Sequence, residues 1–380
     1  MGKKILFISE LVGLGGGETS LLNIIQELNL RGFDITVVVP NQGKLVDLLI
    51  KENIKVDIIE ALFLTRRNKY KFPFVFLNIL KYIYYGNFDI VHSNALKSSY
   101  FFGIISKILR KKFYYTCHGQ WIKFSRLKRY ILQRLCKKIV AVSNNVKDNL
   151  LKQGFSTEKV QQIYLGIDIE KYTLSKTIDL KTELGIDKDT ILIGIIARFQ
   201  KIKGQDIFVK SAKDFIQEQE VSGRKVCFIL VGDNTFGDPM DAEFKQGIFD
   251  FVNNHKMTEK VVFLGERTDI PEILKSLDLL IVPSRNESFG MVIIEAMASG
   301  CPVIASNCDG PSEIIIENET GLLFEVGNTK QLTRNMINIF ENKLLYESIK
   351  KKAFSFVNEK FSIKIVASAY IYMYESEGKK

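Results

Sequence analysis

Cysteine, histidine and long apolar segments are scarce in this sequence of 380 residues. The five cysteines are an odd number and show no Cys-x-x-Cys spacing, which argues against a disulfide framework or a zinc site and favours reduced thiols in a cytoplasmic protein. No segment reaches about 18 uncharged apolar residues, so no membrane-spanning helix is predicted. The first apolar run, Ile5 to Ile8, is too short for a signal peptide.

Acidic residues are absent between Ile90 and Lys147, where thirteen basic residues occur. Residues 1–170 carry 26 Lys and Arg against 13 Asp and Glu, a net charge of +13, whereas the remainder carries 27 against 30, a net charge of −3. A surface of this kind favours an anionic partner, such as anionic lipid head groups, nucleic acid or an acidic substrate. A solvated, lysine-rich face is the alternative.

Short β-branched segments alternate with longer amphipathic ones along the chain, which is typical of a parallel sheet with helices on both faces. The predicted strands are 4–9, 34–40, 89–94, 112–119 and 138–143 in the first half, and 190–199, 226–233, 261–266, 277–284 and 301–306 in the second. The second set is almost continuously apolar, as buried parallel strands are. We predict an α/β protein of two doubly wound Rossmann-like domains, 1–170 and 171–360, that face a central cleft.

A glycine-rich loop, Gly13 to Gly17, follows the first predicted strand and opens a helix over 19–32. Its backbone N–H groups can therefore meet an anion. The dinucleotide fingerprint is missing, because Glu18 stands at its third glycine and the second strand ends in Pro40-Asn41 without a ribose-binding acid. A nicotinamide cofactor is not expected, and a plain tight turn is the alternative for this loop.

Two cations follow the apolar strand segment TILIGIIA, with Arg198 directly after it and Lys203 just before Gly204. Cations at the carboxyl end of a strand and beside a helix N-terminus suit a diphosphate, since arginine offers a planar fork and lysine a point charge. A pair of unrelated surface cations is the alternative.

Two glutamates, Glu287 and Glu295, lie eight residues apart in the segment SRNESFGMVIIEAMASG. A helix is predicted from Ser288 or Phe289 to Ser299, which leaves Glu287 in the preceding loop and Glu295 about two turns inside the helix. At 1.5 Å per residue the carboxylates would lie about 12 Å apart along the axis. Hydrolase pairs need about 5 to 9.5 Å, so two parts of one long ligand fit better. A surface position for Glu295 is the alternative, which its apolar neighbours disfavour.

The sequence contains three histidines, His92, His118 and His255. His118 ends a predicted strand in YYTCHGQW and precedes Gly119, where a side chain of the cleft is expected. His92 also ends a strand but has a weaker context, and His255 is predicted on a surface helix.

Several motifs occur in one order along nearly the whole chain: GGGE, TCHG, GID (166–168), ARFQKIKG, LVGDN, FLGERTDIPEIL and PSRNESFGMVIIEAMASGCPVIASNCDGPSEII. This ensemble resembles the retaining GT-B glycosyltransferases of family four (glycosyl transferases group 1). The last block carries the E-x7-E motif of that family in Glu287 and Glu295. Ser288 stands where many relatives have glycine.

The resemblance implies a role for each matching residue. The catalytic residues would be His118, Arg198, Lys203 and Glu287, with His118 near the transferred sugar, Glu287 on a sugar hydroxyl and the two cations on the leaving phosphate. Glu295 would hold the ribose. The other donor-binding residues would be Gly16, Gly17, Arg267, Thr268, Ile270, Ser288, Phe289, Gly290, Met291 and Val292.

The family also implies the partners and the placement of the last helix. The donor would be a nucleoside-diphosphate sugar, with UDP favoured, used without a metal ion or other cofactor. The C-terminal helix within 361–380 would pack back on the first domain. The acceptor would be a glycan or a lipid-linked glycan of a bacterial surface polysaccharide, and nucleic acid is not an expected partner.

The first domain would bind the acceptor, and its basic surface would hold the enzyme on the anionic inner face of the plasma membrane. The residues predicted for this contact are Arg66, Arg67, Lys69, Lys111, Lys112, Lys123, Arg126, Lys128 and Arg129. Two alternatives remain open, namely another GT-B enzyme such as a UDP-sugar 2-epimerase or a phosphorylase, and a non-catalytic membrane-binding or nucleic-acid-binding homologue.

Overall fold

The computed structural model describes residues 2–63, 71–119, 122–176, 178–234 and 238–376. The chain forms two compact units. The first contains Met1–Ile167 together with Ile363–Lys380, and the second contains Asp168–Ser362. The division falls three residues before the predicted boundary at 170/171.

The first unit is built on a seven-stranded parallel sheet with the order β3-β2-β1-β4-β5-β6-β7. Its strands are β1 (Lys4–Ile8), β2 (Asp34–Val39), β3 (Lys55–Ile58), β4 (Ile90–Ser93), β5 (Lys112–Cys117), β6 (Lys138–Ala141) and β7 (Val160–Gln162). The central strands are almost wholly buried, since helices cover both faces.

The helices of the first unit are α1 (Gly16–Leu30), α2 (Lys44–Lys51), α3 (Phe72–Gly86), α4 (Leu96–Ile108), α5 (Arg126–Leu135) and α6 (Asn144–Lys152), with α16 (Ile363–Ser376) added from the end of the chain. A 3-10 turn spans Glu60–Leu62. None of the helices in the described ranges is long and apolar enough to cross a membrane.

The second unit has a six-stranded parallel sheet with the order β10-β9-β8-β11-β12-β13. Its strands are β8 (Ile191–Ile196), β9 (Val226–Val231), β10 (Val261–Gly265), β11 (Leu279–Val282), β12 (Val303–Ser306) and β13 (Leu322–Phe324). Its helices are α7 (Ile169–Thr173), α8 (Leu180–Glu183), α9 (Gln205–Ser222), α10 (Pro239–Asn254), α11 (Ile270–Ser276), α12 (Met291–Ala298), α13 (Asp309–Ile314), α14 (Thr329–Glu341) and α15 (Lys343–Lys360). The prediction of two doubly wound α/β units is confirmed.

A buried polar cluster holds α16 on the first sheet. His92 in β4 is 1% exposed, and its Nδ1 lies 2.6 Å from the Tyr374 hydroxyl while its Nε2 lies 2.8 Å from Thr116 Oγ1. Burial lowers the pKa of His92 to about 3, so the imidazole is neutral at ordinary pH. His92 is thus a core residue that joins β4, β5 and α16.

Candidate functional site

The carboxyl edge of the second sheet gathers the loops that follow β8 and β11. Strand β8 pairs with β9 on one side and with β11 on the other, so the strand order reverses between β8 and β11. Loops at such a reversal diverge and leave a crevice at the carboxyl ends of the strands. Arg198 and Lys203 follow β8 and Glu287 follows β11, so three predicted site residues come from the two loops at this reversal.

Lys203 and Glu287 form an ion pair, with Lys203 Nζ donating to Glu287 Oε2 at 2.5 Å. Their side chains are 22% and 18% exposed, so water screens the pair only partly. The lysine supplies positive charge and the carboxylate accepts hydrogen bonds. A single ligand with both an anionic group and hydroxyl groups can therefore use both residues.

Arg285, which the sequence analysis did not single out, joins the same two loops. Its guanidinium donates to both carboxylate oxygens of Asp206, from NH1 at 2.8 Å and from NH2 at 2.7 Å. NH1 also donates to the backbone oxygen of Lys201 at 2.7 Å. A bidentate arginine–carboxylate pair fixes geometry. This pair anchors the chain three residues after Lys203 and two residues before Glu287.

Gly204 allows the backbone of the loop after β8 to approach the backbone of the loop after β11 closely. Its φ is +76°, and a Cβ at this position would lie 2.0 Å from the backbone oxygen of Pro283. No other residue fits there without displacing the loop that carries Glu287.

Helix α12 begins at Met291, two to three residues later than predicted, because Gly290 adopts φ +102° and turns the chain before the helix. Glu287 and Glu295 therefore do not share one helical axis, so the separation estimated along such an axis does not apply to them. Glu295 is the fifth helical residue, about one turn from the start rather than two. The first N–H groups of α12, at Met291 and Val292, have no acceptor within a helix.

Glu295 is 9% exposed and receives a hydrogen bond from the hydroxyl group of Tyr172 in α7. Burial raises the pKa of the Glu295 carboxyl, while the Tyr172 hydrogen bond and the charge of Lys171 offset part of that rise. The surface position that was the alternative for Glu295 is excluded. A buried carboxylate with one protein donor keeps further acceptor capacity for a ligand.

Arg267, which the resemblance assigns to donor binding, pairs with two carboxylates. Its Nε and NH2 donate to Asp269 at 2.8 and 2.6 Å, and its NH1 donates to Glu183 at 2.6 Å. The guanidinium therefore joins α8 to the start of α11. Thr268 lines a shallow groove beside α7, and Ile270 is the first residue of α11.

The first sheet has its own strand reversal, between β1 and β4. Gly16 and Gly17 open α1 after β1, Asn94 follows β4, and His118 follows β5. His118 Nε2 lies 2.6 Å from Asn94 Oδ1, and Asn94 Nδ2 donates to the backbone oxygen of Gly17 at 3.5 Å. Burial lowers the pKa of His118 to about 4.

Two protein-family models match the two units in turn. The model described as Glycosyltransferase Family 4 matches residues 14–171, and the model described as Glycosyl transferases group 1 matches residues 177–356. The chain belongs to the GT-B glycosyltransferases of family four.

Relatives of this glycosyltransferase include two curated bacterial enzymes. The UDP-Gal:alpha-D-GlcNAc-diphosphoundecaprenol alpha-1,3-galactosyltransferase of Escherichia coli is 24% identical over 354 residues, which cover 86% of this chain and 87% of that enzyme. The N-acetyl-alpha-D-glucosaminyl L-malate synthase of Bacillus anthracis is 29% identical over 236 residues, which cover 62% of this chain and only 58% of that enzyme.

A crystal structure of Anabaena HepE in complex with UDP-glucose shares the GT-B fold with this chain. Its TM-score is 0.85 at 24% identity, and the match covers 98% of this chain and 99% of HepE.

Sequence reasoning missed Asp206, Arg285, Asn94 and Tyr172, which hold site residues in place. Two of them had a usable signal. Arg285 lies two residues before Glu287 in the same motif, and Asn94 ends the predicted strand DIVHSN, where residues of a ligand crevice are expected.

Proposed function

We propose that this chain is a retaining, metal-independent glycosyltransferase. It moves a hexose or an N-acetylhexosamine from a UDP-sugar to a glycan or lipid-linked acceptor during assembly of a bacterial surface polysaccharide. Its family, the E. coli relative named for UDP-galactose and a diphosphoundecaprenol acceptor, and the fold neighbour that holds UDP-glucose support this proposal.

The observation that carries the proposal is the Lys203–Glu287 pair at the strand reversal of the second sheet. A nucleoside-diphosphate sugar offers phosphate oxygens to Lys203 and sugar hydroxyls to Glu287. When the donor binds, its phosphate and hydroxyl groups would replace the contact between Lys203 and Glu287. Neither charge would then be left without a partner. The half-buried Arg198, which follows β8, adds a second positive charge for the diphosphate.

Helix α12 supplies the rest of the donor site in this proposal. The N–H groups of Met291 and Val292 lie at its positive end, which favours the diphosphate. The carboxylate of Glu295 accepts hydrogen bonds from the two ribose hydroxyls. The nucleobase of the donor rests against the segment that carries Thr268 and Ile270. Arg267 is a donor-binding residue in this proposal and also fixes Asp269.

The proposed reaction breaks the bond between the anomeric carbon and the leaving phosphate oxygen, which keeps the electron pair. The acceptor oxygen attacks the same face of the sugar and passes its proton to that phosphate oxygen, so the anomeric configuration is retained. Negative charge grows on the phosphate in the transition state, and fixed cations and backbone amides stabilise it there more than in the ground state. Lys203, Arg198 and the start of α12 supply that stabilisation, which is the role a metal ion would otherwise fill.

A panel of UDP-sugars and GDP-sugars tests the donor assignment by thermal shift and by slow donor hydrolysis followed with proton NMR. We expect UDP and at least one UDP-sugar to raise the melting temperature, and the sugar released first to carry the α-anomeric configuration of the donor. Release of the β-anomer would contradict retention. Conversion of the donor into its 2-epimer, or the absence of any shift with every nucleotide, would favour one of the two alternatives.

Membrane docking through the basic surface of the first unit is the second part of the proposal. Lys123, Arg126 and Lys128 are exposed, and Leu127 and Tyr130 of α5 are 67% and 57% exposed beside them. Cationic and amphipathic side chains on one helix suit an anionic bilayer. The proposal therefore centres on α5.

Three residues of the predicted membrane surface contribute little to this argument, because their side chains donate hydrogen bonds within the first unit. Lys112 Nζ donates to the Tyr374 backbone oxygen at 3.3 Å, and the Arg129 guanidinium donates to the Gln153 backbone oxygen, so both cations have partners within the unit. Lys111 Nζ donates to Asn87 at 3.4 Å. The predicted residues Arg66, Arg67 and Lys69 lie outside the described residues.

Replacing Arg126 and Lys128 together by glutamate should weaken co-sedimentation with vesicles that contain anionic lipid. Each basic residue near an anionic surface contributes about 1 kcal/mol, so losing two lowers the partition coefficient by at least roughly 30-fold. The matched control is the double change Lys343→Glu and Lys351→Glu, which makes the same charge change at exposed positions of α15. Equal binding of the wild-type protein to neutral and anionic vesicles would refute the docking surface.

A further inference from the structure

Three residues at the carboxyl edge of the first sheet form a short chain of hydrogen bonds. Gly17, Asn94 and His118 follow β1, β4 and β5, which are neighbours in the sheet. The Asn94 amide bridges the other two, with Nδ2 donating to the Gly17 backbone oxygen at 3.5 Å and Oδ1 lying 2.6 Å from His118 Nε2. The imidazole is therefore held by a group whose own orientation is set by the backbone.

The direction of these hydrogen bonds follows from the chemistry of the Gly17 carbonyl. A backbone oxygen only accepts, so the Asn94 NH2 group must face it. The amide oxygen of Asn94 then faces His118, and because that oxygen only accepts, His118 Nε2 must carry the proton. Turning the amide over would place two acceptors, the Asn94 amide oxygen and the Gly17 backbone oxygen, against each other, whichever tautomer of His118 faced the NH2 group.

We propose that Asn94 is a positioning residue that fixes His118 as the Nε2–H tautomer, so that Nδ1 offers its lone pair to a hydroxyl group of the bound substrate. The open position beside Nδ1 is provided by Gly17, where a Cβ would lie 3.7 Å from that nitrogen. The hydroxyl group belongs to a sugar if the function proposed above is right, and the tautomer itself does not depend on that function.

The surroundings of His118 keep the imidazole neutral. Burial lowers its pKa to about 4, and a neutral ring with a protonated Nε2 accepts a hydrogen bond at Nδ1 but does not donate one there. His118 lines a small cavity of the first unit, and the other titratable side chains that line this cavity are His92, Tyr164 and Tyr370. None of these carries a negative charge at neutral pH, so none opposes the effect of burial.

The tautomer can be measured directly, because the chain contains three histidines. In protein labelled with 15N-histidine, two-bond correlation spectra distinguish Nδ1 from Nε2 in each ring, and the variants His118→Gln and His255→Gln assign the signals. We expect His118 in the unliganded wild-type protein to show a protonated Nε2, a bare Nδ1 and a pKa well below 6.5, the ordinary value. A protonated Nδ1 would overturn the proposal.

Two substitutions separate positioning from simple packing. Asn94→Leu removes the acceptor, so His118 should populate both tautomers, and an unchanged pure Nε2–H signal would also overturn the proposal. Asn94→Asp keeps an acceptor and adds a charge, so the tautomer should persist while the pKa of His118 rises by about 1 to 3. The signals of His92, whose partners Thr116 and Tyr374 are unaltered, report whether each variant remains folded.

Activity supplies an independent readout if a donor and an acceptor are found. For Asn94→Asp, transfer should fall on the acid side at a higher pH than in the wild-type enzyme, because a charged His118 cannot accept a hydrogen bond from the substrate hydroxyl group. NMR shows whether the pKa of His118 has risen in Asn94→Asp. If it has risen but transfer falls at the same pH as in the wild type, His118 does not act as a hydrogen-bond acceptor for the substrate. If no donor supports transfer, the proposed function fails while the NMR test of the tautomer still stands.

Discussion

Replacing Lys203 by methionine is expected to lower the rate of sugar transfer by about 10²- to 10³-fold, the usual effect of removing one fixed donor to a developing oxyanion. Lys203 stands at the strand reversal of the second sheet, and its side chain is 22% exposed, so its charge is only partly screened. Negative charge on the leaving phosphate grows as the glycosidic bond breaks. The effect should therefore fall on kcat, with a smaller change in KM for the donor.

A matched control for Lys203→Met is Lys201→Met, in the same 3-10 turn but with an exposed side chain. The control should transfer sugar at nearly the wild-type rate, since only the backbone oxygen of Lys201 contacts Arg285. Loss of Lys203 also leaves the carboxylate of Glu287 without its partner at 2.5 Å. The double variant with Glu287→Gln separates the two effects, because residues that act on one ligand as a unit give non-additive losses. A Lys203→Met enzyme within threefold of wild type would remove Lys203 from the mechanism.

The central strands of both sheets were predictable, because buried parallel strands leave almost continuous apolar segments in the sequence. The three strands that sequence reasoning missed, β3, β7 and β13, lie at sheet edges and are only three or four residues long. Two residues of β3 are exposed and two are half-buried. Short segments with mixed burial carry no clear period, so tertiary pairing decides their structure.

Residues of the candidate site that belong to one sequence motif were predictable. Contacts between two loops that are far apart in the sequence were not. Glu287, Glu295 and Lys203 were found from local patterns, but the contact of Lys203 with Glu287 joins residues 84 positions apart. The contact of Arg285 with Asp206 spans 79 positions. The start of α12 was misplaced because the φ of +102° at Gly290 ends the loop there, and a glycine in the sequence does not reveal its φ.

Replacing Glu295 by glutamine is expected to weaken UDP binding and at the same time to stabilise the unliganded fold near neutral pH. A carboxylate accepts hydrogen bonds from both ribose hydroxyls, whereas glutamine has one acceptor oxygen, so the loss should be about 1.5 to 3 kcal/mol, or roughly 10- to 150-fold in Kd. Burial raises the pKa of Glu295, so ionisation of this group costs stability as the pH rises through its folded-state value. Glutamine resembles the neutral acid at every pH and avoids that cost.

Isothermal titration with UDP and thermal unfolding without ligand measure these two effects separately. Glu341→Gln, which changes an exposed carboxylate in the same unit, is the control and should leave both quantities unchanged. If Glu295→Gln weakened UDP binding only because the fold was damaged, its melting temperature would fall. If Glu295→Gln had an unchanged affinity for UDP and a higher melting temperature, Glu295 would be a buried carboxylate that does not bind UDP. It would then not belong to the donor site.

The pH dependence of UDP affinity shows whether UDP binding depends on the negative charge of Glu295 or only on the shape of its side chain. The hydrogen bond from Tyr172 lowers the pKa of Glu295, so Tyr172→Phe should raise that pKa further and move the loss of UDP affinity on the acid side to higher pH. At a pH above the new value Tyr172→Phe should bind UDP nearly as well as the wild type. Glu295→Gln has no carboxylate to titrate, so its affinity should lack this acid limb. Parallel pH profiles in all three proteins would show that the ribose is held by another group, because Glu295→Gln has no carboxylate at this position to titrate.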